Sequence, residues 1–377
     1  MGFAHVALMT IAACAGAPPP VRGGDVPAFR IFQFPADAIP RVDGDAADWA
    51  MVGPRYAIDT GALAADDGSG RRPDPKSLKV SIRVGWVKGL NRLYFLYEAE
   101  DDYWSFAQPG LTNDIFELVV DGDRSGGPLI ARFHPDLEPA RGATQQGPGP
   151  YLSRQQAWFD FQNVHAQNYH IFTPPGDKDW AMAWGPQAQW IKRLPWSNIA
   201  YRYDFKHGQP GKLRMEFWIT PFDHADSEGP AKSIETTLTE NGIIAMAWAV
   251  IDDDGPTVRR GFWNLSPHHT MYGQASQLCP FRLMPLEPAQ GSAMVADWSF
   301  QIVDRDRRLV AFHDDSPGPT TGWKWDFGDG SSSTEQHPVH RYAELGKFVV
   351  TLDVEGPGGK ARHSKVWDVS FTGDPLK

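Results

Sequence analysis

The order of residues predicts an all-β protein: a large antiparallel β-sandwich followed by a small immunoglobulin-like β-sandwich. Three observations carry that expectation. Apolar and polar residues alternate in short runs, as in "KVSIRVGW", where Val80, Ile82, Val84 and Trp86 share one face. Turn residues punctuate the runs, with 37 glycines and 32 prolines among 377 residues. Helical periodicity is almost absent, and only "AKSIETTLTE" at 231–240 reads as a weak helix.

Residues 1–17 read as a signal or lipoprotein signal segment. Positions 6–13 are small and apolar, too short a run to span a bilayer, and prolines follow at once. No Lys or Arg precedes the run, a departure from the usual export pattern. "IAAC" at 11–14 resembles the bacterial lipoprotein box, which makes Cys14 the candidate lipidation site and attachment to a membrane through lipid the consequence. A cut after Ala15 or Ala17 is the alternative. Either route predicts a secreted, periplasmic or cell-surface protein, with outer-membrane attachment as the lipidated form. The second cysteine, Cys279, then has no disulfide partner, so stability must come from packed cores.

Residues 18–36 read as a tether because they open on Pro- and Gly-rich sequence. The large sandwich is expected over 37–285. Its strands include Val80 to Trp86, Leu93 to Tyr97, the run "DIFELVVDGD", the alternation Leu213, Met215, Phe217 and Ile219, and "IIAMAWAVIDDDG". "PLEPAQGSA" supplies a linker at 286–293. The small sandwich is expected over 294–371, with strands near Trp298, Leu309, Trp323, Phe348 and Lys365.

Within the small module, "GWKWDFGDGSSSTEQHP" runs from Gly322 to Pro338. Alternation places Trp325 and Phe327 in the core and turns Asp326 outward. Gly328 and Gly330 permit a tight turn, and Asp329 can accept bonds from loop amides. The hydroxyl of Tyr342 is expected to tie to backbone. Residues 325–330, with Ser333, Thr334, Pro338, His340, Tyr342, Gly346, Val350, Thr351, Leu352 and Val354, resemble a PKD domain. That resemblance implies an extracellular immunoglobulin-like sandwich in which the loop maintains the fold.

"IPRVDGDAADWAMVGP" at 39–54 resembles the opening of family 9-like carbohydrate-binding modules through Val42, Asp43, Gly44, Asp48 and Trp49. The likeness continues through "LYFLYEAEDDYW", "NDIFELVVDGDRSGG" and "MEFWITPFD". It implies sugar recognition, without matching the family's paired tryptophans to positions here. Sugar rings stack their C–H faces on indoles, and their hydroxyls need fixed polar partners. The insert from 151 to 196 is dense in both residue types. Candidate carbohydrate-binding residues are therefore Trp104, Trp158, His165, His170, Trp180, Trp184, Trp190 and Lys192. Covering the sandwich faces is the competing role for each tryptophan.

In "DGDRSGG", Asp121, Asp123 and Ser125 set oxygens at alternate positions, as a structural calcium ion prefers. A polar turn whose aspartates cap amides accounts for the same residues. Neither a P-loop nor a dinucleotide fingerprint occurs, so no nucleotide cofactor is expected. A net charge of −10 with no basic cluster argues against nucleic acid as a partner.

The function expected is that of an exported carbohydrate-binding protein engaging polysaccharide or oligosaccharide, in glycan catabolism or surface attachment. A glycoside hydrolase or polysaccharide lyase on the large sandwich is the enzymatic alternative. It needs two carboxylates across one bond, or a His or Tyr base with a cation, and the sequence pairs none of its many acids. Glu117 and Glu216 sit between apolar neighbours and are expected to face away from the core. A non-catalytic spacer or adhesion role is the third reading.

Overall fold

The computed structural model describes residues 29–107, 113–134, 153, 155–157, 161–176, 179–183, 188–255, 261–287 and 294–371, with backbone alone at 188 and 366–371. Residues 1–28 lie outside it, and with them the signal segment and Cys14.

Two sheets form the large sandwich. The first runs Ala181–Ala183, Gln167–Phe172, Ile115–Asp121, Ile243–Asp252, Cys279–Leu283 and Phe29–Phe34. The second runs Phe29–Phe34, Leu78–Val87, Leu90–Asp101, Gly211–Ile219 and Ser197–Tyr203. One strand thus belongs to both. Phe29 to Ile31 pair with Phe281 to Leu283, and Phe32 to Phe34 pair with Gly85 to Val87. Both pairings are parallel, whereas the other ladders of the two sheets are antiparallel. This corrects the reading of 18–36 as tether throughout: residues 29–34 are a strand joining the two sheets. Gly85 is needed opposite it, because a Cβ there would lie 2.1 Å from the Phe34 ring.

The core between the sheets takes the alternate residues that the period-two pattern marks. Val80, Ile82, Val84, Phe95, Tyr97, Phe116, Leu118, Met215, Phe217, Met246 and Trp248 all pack there. The Leu93 to Tyr97 strand is longer than its apolar run, extending over Leu90–Asp101. No helix forms at 231–240; a 3-10 turn at Pro230–Lys232 leads into the short strand Ile234–Glu235. That short strand pairs with Phe222–His224, and the tertiary pairing overrides a weak local helical signal.

The small sandwich packs a three-stranded sheet (Trp298–Asp304, Leu309–Asp314, Val339–Arg341) against a four-stranded one (Ser332–Ser333, Gly322–Asp326, Gly346–Gly356, Gly359–Phe371). Trp298, Phe312, Trp325, Phe327, Tyr342, Phe348 and Leu352 fill the space between them. The aromatic run behaves as its alternation predicts, with Trp325 and Phe327 buried. Gly328 and Gly330 both take positive φ, +77° and +87°. A Cβ at Gly328 would also meet the Val349 carbonyl oxygen at 2.5 Å. Asp329 Oδ1 accepts the Ser331 amide at 3.0 Å, and the Tyr342 hydroxyl donates to the Phe327 carbonyl at 3.1 Å.

Val349 leaves this module to join a separate apolar cluster with Phe34, Trp49, Tyr56, Tyr94 and Trp218 of the large sandwich. A ring of charges borders that contact. Arg41 meets Asp353 at 2.8 Å, Asp353 meets Arg362 at 2.6 Å, and Arg362 meets Asp48 at 2.8 Å. Asp48 closes the ring by accepting the Arg41 amide at 2.8 Å.

Candidate functional site

Cross-strand register builds a polar groove on the outer face of the second sheet. Lys79 stands opposite Glu100, and Glu100 opposite Lys212. In the next row Ser81 stands opposite Glu98, and Glu98 opposite Arg214. Asp59 and Thr60 flank one side, and Arg202, Tyr203 and Asp204 the other. The space enclosed is about 620 Å³. Arg214 holds Glu98 at 3.0 Å; Lys79 and Lys212 approach Glu100 more loosely, at 3.6 and 3.4 Å. Such exposed pairs contribute about 0–1 kcal/mol each, so a ligand can redirect them at little cost. Tyr203 stands opposite the core residue Leu213, so its ring, 46% exposed and nearly parallel to that of Tyr201 (17°, centroids 6.2 Å apart), projects from the other face of the sheet. Four acids (Asp59, Glu98, Glu100, Asp204) face four bases (Lys79, Arg202, Lys212, Arg214), so the groove is neutral overall.

The described residues nominated from sequence lie elsewhere, and several have structural duties. Trp104 is 1% exposed, stacked on Phe205 at 4.3 Å, and donates Nε1 to the Gly211 carbonyl. It offers no open face to a sugar, which corrects its nomination. Trp180 packs beside Tyr169 and donates to the Lys192 carbonyl at 3.0 Å. Trp190 packs edge-on against Trp196 and Phe222 and donates to the Asp226 carbonyl at 3.1 Å. Lys192 is buried, with Nζ held 2.7 Å from Asp179 Oδ1. Its ammonium therefore stays inside the fold and does not reach out to a glycan. His170 is buried, with Nε2 2.7 Å from Glu117 Oε1. His165 is half-buried, and burial holds its imidazole below the ordinary value. Trp158 and Trp184 lie outside the described residues.

Glu117 and Glu216 do face away from the core, but both are buried, and among the described residues neither lines a cleft. Glu117 also accepts from Asn168 Nδ2 at 2.9 Å. Glu216 is capped by the 39–54 segment: Trp49 Nε1 donates to it at 2.9 Å and the Asp43 amide at 3.3 Å. Burial pushes its carboxyl up to about 8, although these donors pull the other way. In the unfolded chain the group ionises near 4.5. Between those values the fold retains a proton that the unfolded chain has released, so stability falls as pH rises through that window. Urea unfolding should therefore show wild-type stability dropping by a few kcal/mol from about pH 5 to pH 8, relative to Glu216→Gln. Parallel pH profiles for the two proteins would contradict this.

In the 121–125 loop, Asp121 Oδ2 accepts the Gly126 amide and Asp123 Oδ1 the Ser125 amide, both at 2.9 Å. The capped turn is thus present, with Ser125 contributing its N–H. Burial pushes Asp121 up to about 7. A second acidic group, whose members are far apart in sequence, gathers at one end of the sandwich. Asp101, Asp114 and Asp252 each place a carboxylate oxygen within 4.8 Å of the others. Burial pushes Asp101 up to about 8, with repulsion from Asp252 next, and Asp252 up to about 6, with repulsion from Asp254 and Asp102 offset by the Trp263 N–H bond. Asp101 and Asp252 end their strands in "EAEDD" and "VIDDD", and Asp114 stands just before one in "TNDIF"; position at a strand end was the available signal.

Residues 304–370 match the PKD domain family, and this segment is a PKD domain. The segment is similar to collagenase ColA of Bacillus cereus, with 40% identity over 55 residues; the match takes in 14% of this chain and 6% of the collagenase. It also aligns with the PKD1 domain of the Vibrio cholerae metalloprotease PrtV at 29% identity. That alignment covers 21% of this chain and 98% of the domain, with a TM-score of 0.19. The N-terminal region resembles a family 9 carbohydrate-binding module of Caldicellulosiruptor kristjanssonii, solved in complex with glucose and with cellotriose. The glucose complex aligns at 11% identity over 70% of this chain and 97% of the module, with a TM-score of 0.38. The cellotriose complex gives 12%, 69%, 99% and 0.37.

Proposed function

We propose that the large sandwich binds oligosaccharide or polysaccharide in the groove between Thr60 and Tyr203, and that the protein works outside the cytoplasm. The groove itself carries this reading. Carboxylates and guanidinium groups are planar and bidentate, so Glu98, Glu100, Arg202 and Arg214 suit pairs of neighbouring sugar hydroxyls. Balanced charge in the groove favours neutral sugars over polyuronates. The PKD domain and the export-like N-terminal sequence support the extracellular setting, and no described helix is long and apolar enough to cross a membrane.

Calorimetric titration of the full chain tests the proposal. Glucose, cellotriose, other neutral oligosaccharides and an oligouronate serve as probes. Binding to a neutral oligosaccharide is expected. Arg214→Ala and Glu98→Gln should each weaken it about tenfold through lost charge-assisted bonds. Unchanged affinity in both variants would remove the groove from the account. Release of new reducing ends in the same tubes would replace binding with hydrolysis.

A further inference from the structure

We propose that Asp101, Asp114 and Asp252 bind a divalent cation of the calcium type at the end of the large sandwich, a site separate from the 121–125 loop. Each acid comes from a different strand terminus. Asp101 ends Leu90–Asp101, Asp114 immediately precedes Ile115–Asp121, and Asp252 ends Ile243–Asp252. All three are buried, at 4%, 3% and 6% exposure. No ion pair among the described residues involves them, so no described cation offsets these three carboxyls.

The hydrogen bonding of Asp252 is the second observation. Its Oδ2 accepts from Trp263 Nε1 at 3.0 Å, while its buried Oδ1 has no hydrogen-bond partner. A buried carboxylate oxygen left unsatisfied is costly, and here it belongs to a group already short of positive charge. Asp114, by contrast, is held firmly in place: Oδ2 accepts the Ser105 amide at 2.6 Å and Oδ1 the Asp253 amide at 2.8 Å. Those amides fix the carboxylate, whose remaining lone pairs are free to ligate.

Asp102 and Asp254 extend the donor set. Together with Asp101 they make a second group whose oxygens lie within 4.8 Å of one another, and Asp254 Oδ1 is likewise unpartnered. Neither group contains a His or Cys, so each is an all-oxygen set. That chemistry suits calcium, which takes six to eight oxygens in flexible geometry, and disfavours zinc. Asp101 and Asp102 also line a cleft of about 330 Å³ with Lys76, Ser77 and Asp204, which gives the ion a path from solvent. Bound there, the ion would tie together strands from both sheets.

The full chain, stripped with EDTA and dialysed, is titrated with calcium chloride by calorimetry and melted with and without the ion. One calcium should bind per chain and raise the melting temperature. Asp252→Asn keeps the bond to Trp263 and should weaken calcium at least about tenfold. Asp254→Asn, at the more open rim, should weaken it less, and Asp121→Asn should leave it unchanged. Circular dichroism establishes that each variant is folded; should Asp252→Asn fail, the wild-type titration and Asp254→Asn decide. Neither heat nor a melting shift with calcium, manganese or magnesium would overturn the proposal. So would binding that survives in Asp252→Asn and Asp254→Asn but is lost in Asp121→Asn.

Discussion

Replacing Trp104 with alanine is expected to cost about 3–5 kcal/mol of stability, the range for truncating a buried aromatic residue. Nothing about a solvent-facing sugar platform would produce a loss of that size. The indole lies parallel to the Phe205 ring, with 4° between the planes, and its N–H is satisfied by the Gly211 carbonyl. Alanine would leave a cavity beneath Phe205 and one strand carbonyl without its donor. Trp104→Phe should restore part of the packing and none of the hydrogen bond, and so fall between the two. Denaturant unfolding of the three proteins measures this directly. A loss under about 1 kcal/mol for the alanine variant would mean that the indole is exposed in solution.

Arg41→Met should be nearly as damaging, by about 3 kcal/mol, although Arg41 lies in no sheet. Its guanidinium is buried, pairs with Asp353 across the contact between the two sandwiches, and donates to the Lys324 carbonyl at 2.9 Å. Methionine keeps the aliphatic stem but neither the reach nor the charge of the guanidinium, which leaves Asp353 to Arg362 alone. Because Arg362 remains, the cost sits at the low end of the range for breaking buried pairs. Calorimetric melting should show the loss, and small-angle scattering should show the two sandwiches separating. Wild-type values from both measurements would mean that the charge ring does not form in solution.

The PKD module was legible because its signal is local. Trp325, Phe327 and the two glycines of the turn are close in sequence, and each residue type has one conformational purpose. Alternation likewise revealed most strands of the large sandwich. "FRIFQF" at 29–34 escaped because half of it pairs with each sheet, so it shows no clean alternation and follows Pro- and Gly-rich sequence. The groove was hidden for a different reason. Lys79, Glu98, Glu100, Lys212 and Arg214 are what any solvated strand face carries, and only the register brings them into two rows. Of the tryptophans nominated in the insert, Trp180 and Trp190 pack against the large core with their indoles bonded to backbone carbonyls. Aromatic composition records the need to cover apolar surface as readily as the presence of a ligand.

Hydrogen–deuterium exchange with and without the tightest-binding oligosaccharide of the panel tests the central claim most directly. The account predicts slowed exchange at 59–62 and across 202–212, which border the groove, with no change in the PKD domain at 304–370. Slowed exchange within 161–196, with both groove borders unaffected, would contradict it and return the binding site to the aromatic insert.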